Sequence, residues 1–363
     1  MKTKINIDFE SLKNEFDEMN DLRKERNEFL ELRKIGENIS LRILESGKEV
    51  AVLKDTFDNL FSYRDNYKCK VDFDKKELHI FTSTALHTHS EYSILDGANR
   101  LKDLTKKYEY SGALTDHGVM YGVIDFYRAA RAEGINPILG CEVYVAPGSR
   151  FDREAGSGED RYYHLVLLAE NNQGYANLMK IVSKGFTEGF YYKPRVDLAV
   201  LKEYHEGIIA LSACLAGEVA RYLQRGMYED AKAAALRYQD IFGKGNFFLE
   251  LQDHGIPAQR LVNQELLRMH EETGIDLVAT NDVHYTRAED ADPHDILLCL
   301  QTNKKLADED RMRYEGGQYY VKSPEEMAEL FPYALEALEN THKIAQRCHV
   351  EIEFGVTKLP RFD

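Results

Sequence analysis

The stretch ALHTHSEYSILDG, from Ala85 to Gly97, places His87 and His89 two positions apart and follows them with Asp96. In an extended strand, residues i and i+2 point to the same face, so the two imidazoles project side by side. This arrangement suits a metal chelate, although an isolated His-x-His pair is more often a pair of surface histidines. Ligands elsewhere in the chain must decide between the two interpretations.

The composition predicts a globular protein without a membrane span. Of the 363 residues, 43% are hydrophobic and 30% are charged, and no apolar run approaches the roughly 20 residues that a spanning helix needs. The cysteines are odd in number and scattered, which argues against a disulfide framework and for a reducing cytoplasm. They are Cys69, Cys141, Cys214, Cys299 and Cys348.

The net charge of −15 argues against a strong nucleic-acid binder that acts through a basic surface. It does not exclude a nucleotide substrate, because bound divalent cations supply local positive charge that a residue count omits.

Residues 1–83 are predicted to form a small α+β appendage. Apolar residues at helical intervals between Phe9 and Glu37 predict one long amphipathic helix. The segments ISLRILESGKEVAVL and YKCKVDFDKKELHIF each predict a pair of short strands around a turn. The helix could mediate oligomerisation, but packing of its apolar face on its own small sheet is favoured.

From Thr84 onward, apolar segments alternate with helix-like stretches about seven times. This pattern predicts an α/β fold of parallel β-α units, closed as a barrel, over residues 84–290. Residues 291–363 are predicted to be a mostly helical C-terminal part. The polar, Gly-rich segment 148–161 is predicted to be a mobile loop.

Each apolar segment contains or is followed by a residue that is able to bind metal. In chain order these residues are His87 and His89, His117, Glu142, His164, Cys214, His254, and the pair Asp282 and His284. Taken singly, Cys214 could be a small buried hydrophobe and Glu142 an ion-pairing residue. Together they predict a metal site, because catalytic groups collect at the C-terminal rim of barrel enzymes.

Several motifs resemble a known family. The segments LHTHSEYSILDG, ALTDHG, LGCEVYV and LVATNDVHY are similar to the PHP (polymerase and histidinol phosphatase) domain. With ELQDHG, DADPHDILLCLQTNK and EALENTHKIAQRCHVEIEFG, the segment 84–363 resembles the form of that domain found in bacterial replicative DNA polymerase III alpha subunits. The resemblance implies a distorted (βα)7 barrel with two to three divalent ions of zinc, manganese or iron.

The resemblance also implies a division of the ligands among three metals. One metal would be held by His87, His89, Glu142 and Asp282, a second by Glu142, His164 and Cys214, and a third by Asp96, His117 and His284. The implied reaction is phosphoester hydrolysis, as a 3′ to 5′ exonuclease associated with proofreading. Glu142 would be catalytic as the bridge between two metals, and His254 and Arg195 are candidates for contacting the scissile phosphate, although solvated surface roles are at least as common.

The resemblance places a polymerase palm domain after KLPRFD, so we expect the chain by itself not to polymerise DNA. The expected partners are a DNA 3′ end or another phosphoester and the rest of a replicative polymerase or a proofreading subunit. Two alternatives stay open: a non-catalytic module in which metals only stabilise a docking surface, and a phosphatase acting on a small metabolite.

Overall fold

A computed structural model of the chain describes residues 2–4, 8–20, 29–35, 38–43, 48–53, 66–73, 76–154 and 161–357. By contact the chain divides into two compact units, one of residues 1–84 with 322–346 and one of residues 85–321 with 347–363. The three-part division predicted from the sequence stays a prediction.

The first unit contains a six-stranded sheet in which every pair of neighbouring strands is antiparallel. Its spatial order is β1-β6-β5-β2-β3-β4. The elements are β1 (Lys2–Lys4), α1 (Phe9–Asn20), β2 (Phe29–Ile35), β3 (Asn38–Ile43), β4 (Glu49–Leu53), β5 (Asn66–Asp72) and β6 (Glu77–Ile80). The two predicted strand pairs are confirmed as β3 with β4 and β5 with β6, and parts of their turns lie outside the described residues.

The prediction of one helix from Phe9 to Glu37 is wrong. Helix α1 ends at Asn20, and residues 29–35 form β2. Leu30 and Leu32 are fully buried and alternate with charged residues, which is the two-residue period of a strand with one face on a core. The many charged residues between α1 and β2 obscured the change from a helical to a two-residue period.

Two helices of the same unit come from late in the chain, namely α10 (Pro324–Leu330) and α11 (Leu335–Arg347). The last residue of α11, Arg347, is assigned to the second unit. Helix α10 begins with a capping box, in which the Ser323 hydroxyl accepts from the Glu326 N–H and the Glu326 carboxylate accepts from the Ser323 N–H. Thr341 of α11 accepts a hydrogen bond from the backbone N–H of Thr84 at 2.9 Å.

The second unit is an α/β structure with a mixed sheet. Its strands are β7 (Ser111–Leu114), β8 (Asn136–Val145), β9 (Tyr163–Ala169), β10 (Phe190–Tyr191), β11 (Lys193–Val196), β12 (Ile208–Leu211), β13 (Phe247–Leu251) and β14 (Leu277–Ala279). The order is β10-β11-β8-β9-β12-β13-β14, with β7 also paired to β8. Every residue of β12 and β13 is buried, as expected for strands covered on both faces.

The helices of this unit lie before, between and after these strands along the chain. They are α2 (Leu101–Lys107), α3 (Val123–Ala132), α4 (Asn172–Thr187), α5 (Leu198–Glu203), α6 (Glu218–Gln224), α7 (Tyr228–Phe242), α8 (Pro257–Thr273) and α9 (Ala291–Thr302). Local chemistry fixes several ends: the Asn171 side chain caps α4, the Asp197 side chain caps α5, and Gly274 ends α8 in a left-handed conformation.

The prediction of parallel β-α units throughout is wrong at β9. Strand β9 runs antiparallel to both of its neighbours, β8 and β12. No α-helix lies between β8 and β9 in the described part of the chain. Parallel neighbours need a crossover connection, usually a helix, so a strand that returns without one pairs antiparallel.

The segment 85–89 lies between β7 and the residues that follow β14. The Ala113 and Thr115 N–H groups donate to the carbonyls of Ala85 and Thr88, and Thr88 forms a parallel bridge with Val283. The first histidine pair is thereby fixed by backbone hydrogen bonds on both sides.

None of the helices that the structure describes is both long enough and apolar enough to span a bilayer.

The junction of α4 with the sheet offers a test of this fold. A Cβ atom on Gly174 would lie 1.8 Å from the carbonyl oxygen of Gly207, whereas one on Gly148 would meet nothing within 4 Å. We expect Gly174→Ala to lower the free energy of unfolding in urea by about 1–3 kcal/mol, as overpacking does. Gly148→Ala should stay within about 0.5 kcal/mol of the wild type. Equal stability of the two variants would contradict the packing of α4 described here.

Candidate metal centre

His87 and His89 lie on a segment that pairs with residues 282–284. The His89 N–H donates to the carbonyl of Val283 at 2.8 Å, and the Val283 N–H donates to the carbonyl of His87 at 3.0 Å. Because alternate residues of an extended segment face the same side, this pairing brings both histidines against Asp282. The Nε2 atoms of His87 and His89 each lie 3.2 Å from Asp282 Oδ1.

Glu142 of β8 lies at the centre of the cluster, and its side chain is only 1% exposed. Its Oε1 atom is 3.2 Å from His87 Nε2 and 2.9 Å from His164 Nδ1. Its Oε2 atom contacts His117 Nδ1. The two carboxylate oxygens therefore face different histidines, which is the disposition that a bridging carboxylate needs.

The remaining predicted ligands join the same cluster. His117 Nε2 is 3.0 Å from Asp96 Oδ2, and Cys214 Sγ is 3.7 Å from His164 Nδ1. The His284 ring lies 4.4 Å from the His89 ring, measured between centroids. The structure thus brings all nine predicted ligands together, and which of them share an ion stays a prediction.

The donor atoms fit divalent metal ions. Three groups have donor atoms that lie within 4.8 Å of one another: His89 with His117 and His284, His87 with His89 and Glu142, and His117 with Glu142 and His164. The Nε2 atoms of His87, His89 and His117 and the Oδ1 atom of Asp282 are buried. Each has an oppositely charged or polar neighbour at 3.0–3.2 Å, but none makes a hydrogen bond of good geometry among the described residues. Buried polar atoms are normally satisfied, so unsatisfied ones that converge indicate a donor set for cations.

The charges in the cluster oppose the effect of burial on the pKa of His117 and Glu142 and add to it at His89. Burial lowers the pKa of His117, but the carboxylates of Glu142 and Asp96 raise it to about 10. Burial raises the pKa of Glu142, but His164 and His117 hold it well below its usual range. Burial and the positive charge of His117 lower the pKa of His89 to about 3. Metal binding to His117 must therefore release a proton.

Outer hydrogen bonds fix the tautomers of the first histidine pair. The His87 Nδ1–H donates to Glu250 Oε1 at 2.7 Å, within a strand that is otherwise apolar. The Ser93 hydroxyl donates to Asp116 at 2.7 Å and lies 3.3 Å from His89 Nδ1, so it accepts the proton of that nitrogen. When each ring is neutral, its Nε2 atom carries the lone pair and directs it at the cluster, as in carboxylate–histidine–metal arrangements.

Three of the six non-glycine residues with a positive φ in the described part of the chain lie at this site. Asp282 has a φ of +43°, Leu95 beside Asp96 has +64°, and Ala213 beside Cys214 has +63°. Residues with a side chain rarely adopt such angles, and those that do are often found at functional sites. Here each strained residue is a predicted ligand or the immediate neighbour of one.

Tyr314 closes the side of the cluster formed by Asp96 and His284. Its hydroxyl oxygen lies 3.3 Å from Asp96 Oδ1 and 3.2 Å from His284 Nε2. Its ring packs edge-on against the His284 ring at 4.7 Å. The side chain therefore reduces the access of water to this end of the site.

The two candidates for phosphate contact lie elsewhere. His254 stacks on the Tyr319 ring at 3.7 Å, and its ring nitrogens contact the carbonyl of Asn281 and the side-chain amide of Gln259. The Arg195 side chain is fully buried, and its guanidinium donates to backbone carbonyls, among them that of Asp152 at 2.5 Å. Neither residue places a polar atom among the donor atoms of the cluster.

Sequence reasoning missed four residues that support the site: Glu250, Ser93, Asp116 and Tyr314. Glu250 was detectable as a carboxylate inside the apolar segment NFFLEL. Ser93 and Asp116 each stand close in sequence to a predicted ligand, but serine and aspartate are common there without such a role. Tyr314 carries no signal, since the fold alone brings it to the site.

Comparison with known proteins places these residues in a family. The model of the PHP domain matches residues 85–254. The DNA polymerase III subunit alpha of Treponema pallidum (strain Nichols) is 48% identical over 281 residues, which are 76% of this chain and 24% of that protein. The same subunit of Campylobacter jejuni is 43% identical over 293 residues, or 77% of this chain and 24% of that protein.

The chain spans about a quarter of the length of these relatives. Among solved structures, an amidohydrolase from Chromobacterium violaceum is 16% identical with a TM-score of 0.37, covering 56% of this chain and 88% of that one. This likeness is too low to add to the sequence match. Residues 85–254 therefore belong to the PHP domain family, and the chain is similar over about three quarters of its length to DNA polymerase III alpha subunits.

Proposed function

We propose that the chain is a metal-dependent phosphoesterase that removes 3′-terminal nucleotides from single-stranded DNA, as a proofreading part of a replicative polymerase in the cytoplasm. The observation that carries this proposal is the set of buried nitrogen and oxygen atoms that converge without hydrogen bonds of good geometry among the described residues. Such a set suits two to three ions of zinc, manganese or iron, whose ligand preferences overlap.

The chemistry that divalent ions supply to such a site is polarisation of a phosphoryl oxygen and activation of a water molecule for attack on phosphorus. The residues contribute position. Glu142 offers one oxygen to His87 and His164 and the other to His117, so it fixes the separation of the donor groups on its two sides. Glu250 keeps the His87 ring in the tautomer whose Nε2 carries the lone pair.

His254 and Arg195 have no direct part in this mechanism. The contacts of His254 with Tyr319 and Gln259 support a structural role, in which His254 stabilises the packing of these side chains. The guanidinium of Arg195 ties down the backbone at Asp152. Contact of either with the scissile phosphate would need these interactions to break.

We further propose that the second unit is a distorted seven-fold β-α barrel. The hydrogen bonds of residues 85–89 to β7 on one side and to Val283 on the other support closure of the sheet at this point. The expected partners are the remainder of a replicative polymerase and a proofreading subunit, by analogy with the relatives.

A second candidate is a non-catalytic module whose bound metals only stabilise it. The net charge of −15 favours this alternative, because it opposes binding of nucleic acid outside a locally positive site. Hydrolytic activity separates the two candidates.

Metal content gives the first test of the proposal. The full chain, reconstituted with zinc or manganese, should bind two to three ions, and His87→Ala combined with His89→Ala should empty at least one site, because both rings face Asp282. His205→Ala, which changes an exposed histidine, is the matched control. Elemental analysis after desalting measures the ratio, and less than one ion in the wild type would contradict the proposal.

The central carboxylate gives a test of catalysis. Glu142→Gln keeps the size of the side chain but removes the charge that the surrounding histidines face, so turnover should fall at least a hundredfold while the fold is retained. Release of mononucleotide from an end-labelled single strand measures turnover, and circular dichroism measures the fold. A phosphomonoester substrate, tested in parallel, separates exonuclease from phosphatase. If the metal-loaded wild type is no faster than the variant, the non-catalytic module is the better account.

A further inference from the structure

One exposed aromatic residue occupies a backbone conformation that does not suit it. Tyr192 is the single residue between β10 and β11, whose register pairs Tyr191 directly with Lys193. Its φ is +62°, in the left-handed region that favours glycine, and its side chain is 63% exposed. A bulky residue at such an angle is an outlier, and an exposed ring gains little from burial. The side chain at this turn therefore calls for a reason other than stability.

Cations accompany two tyrosine rings here, of which Tyr192 is exposed and Tyr144 is buried. Arg161 Cζ lies 4.1 Å from the centre of the Tyr192 ring, and Lys193 Nζ lies 5.3 Å from the centre of the Tyr144 ring. Within the described part of the chain, neither cation has a carboxylate partner. Exposed aromatic faces beside Arg and Lys are the elements of a single-stranded nucleic-acid site, where bases stack on rings and phosphates contact cations.

This surface leads directly to the cluster. The Tyr144 ring lies 5.3 Å from the His164 ring, and the Tyr162 ring stacks parallel to the same histidine at 6.0 Å. Tyr144 and Tyr162 contact each other edge to face at 4.8 Å. One aromatic ring therefore separates Lys193 from a predicted metal ligand.

We propose that Tyr192, Arg161 and Lys193 form an aromatic rim that binds the nucleotides next to the scissile phosphate, and that the buried Tyr144 ring and the half-buried Tyr162 ring support this rim beside the cluster. This inference rests on the proposed function and deepens it, because it assigns residues outside the metal cluster to binding of the single strand. In a chain of net charge −15, two cations over aromatic faces beside the metal donors supply local charge complementarity to phosphates.

The decisive variant is Tyr192→Gly in a Glu142→Gln background, so that the probe is not degraded. Binding of a fluorescein-labelled oligothymidylate to the full, metal-loaded chain is followed by fluorescence anisotropy. We expect Kd to rise roughly tenfold, within the range for loss of one stacked base. The melting temperature should not fall, because glycine suits the left-handed turn. Tyr192→Phe keeps the ring, so its Kd should stay within about twofold of the parent.

The cations are tested through salt. Arg161→Gln and Lys193→Gln should each reduce the slope of log Kd against log salt concentration by about 0.7, as for one lost phosphate contact on a single strand. Lys232→Gln, which removes the same charge from α7, is the matched control and should leave the slope unchanged.

Three results would overturn the rim: unchanged Kd in Tyr192→Gly, a rise in Kd that accompanies a lower melting temperature, or binding of duplex DNA without binding of the single strand. If the parent binds the oligonucleotide through Tyr192 but the wild type does not hydrolyse it, the rim stands and the proposed catalysis fails.

Discussion

The second unit is organised around one buried carboxylate. Glu142 sits at 1% exposure between His87, His117 and His164, and burial alone would make its charge unfavourable. The histidines compensate for that cost only because three separate segments of the chain bring them to the carboxylate. Removing the charge of Glu142 would leave the buried histidine rings without their counter-ion. The segments that carry these histidines must therefore lie close to β8.

The residues of the proposed site divide into a buried group and an exposed group. Residues 85–89 are fixed by backbone hydrogen bonds on both sides, and Glu250 fixes the His87 ring from a fully buried strand. Tyr192, in contrast, stands exposed at a turn and in a strained conformation. This division fits a site in which buried residues hold metal and exposed ones meet a variable substrate.

The sequence identified residues that the fold brings together, but it misassigned part of the two sheets. The two-residue spacing and the residue types of the His-x-His and Asp-x-His pairs can be read from the sequence alone. The structure brings all nine predicted ligands together. The direction of β9 was not predicted because strand orientation depends on the connections between strands. The strand at Phe29–Ile35 was not predicted because the many charged residues obscured its alternation of apolar and polar positions. Arg195 was misleading, since a lone arginine in a motif does not reveal that its guanidinium is buried against carbonyls. Tyr314 could come only from the fold.

The most direct test of the account is anomalous diffraction from crystals of the full chain reconstituted with manganese or zinc, collected on both sides of the metal absorption edge. The account predicts two or three anomalous peaks within coordination distance of the donor atoms, with one between the Glu142 carboxylate and its histidines. A metal-replete crystal whose anomalous peaks all lie away from Glu142 and His87 would contradict it.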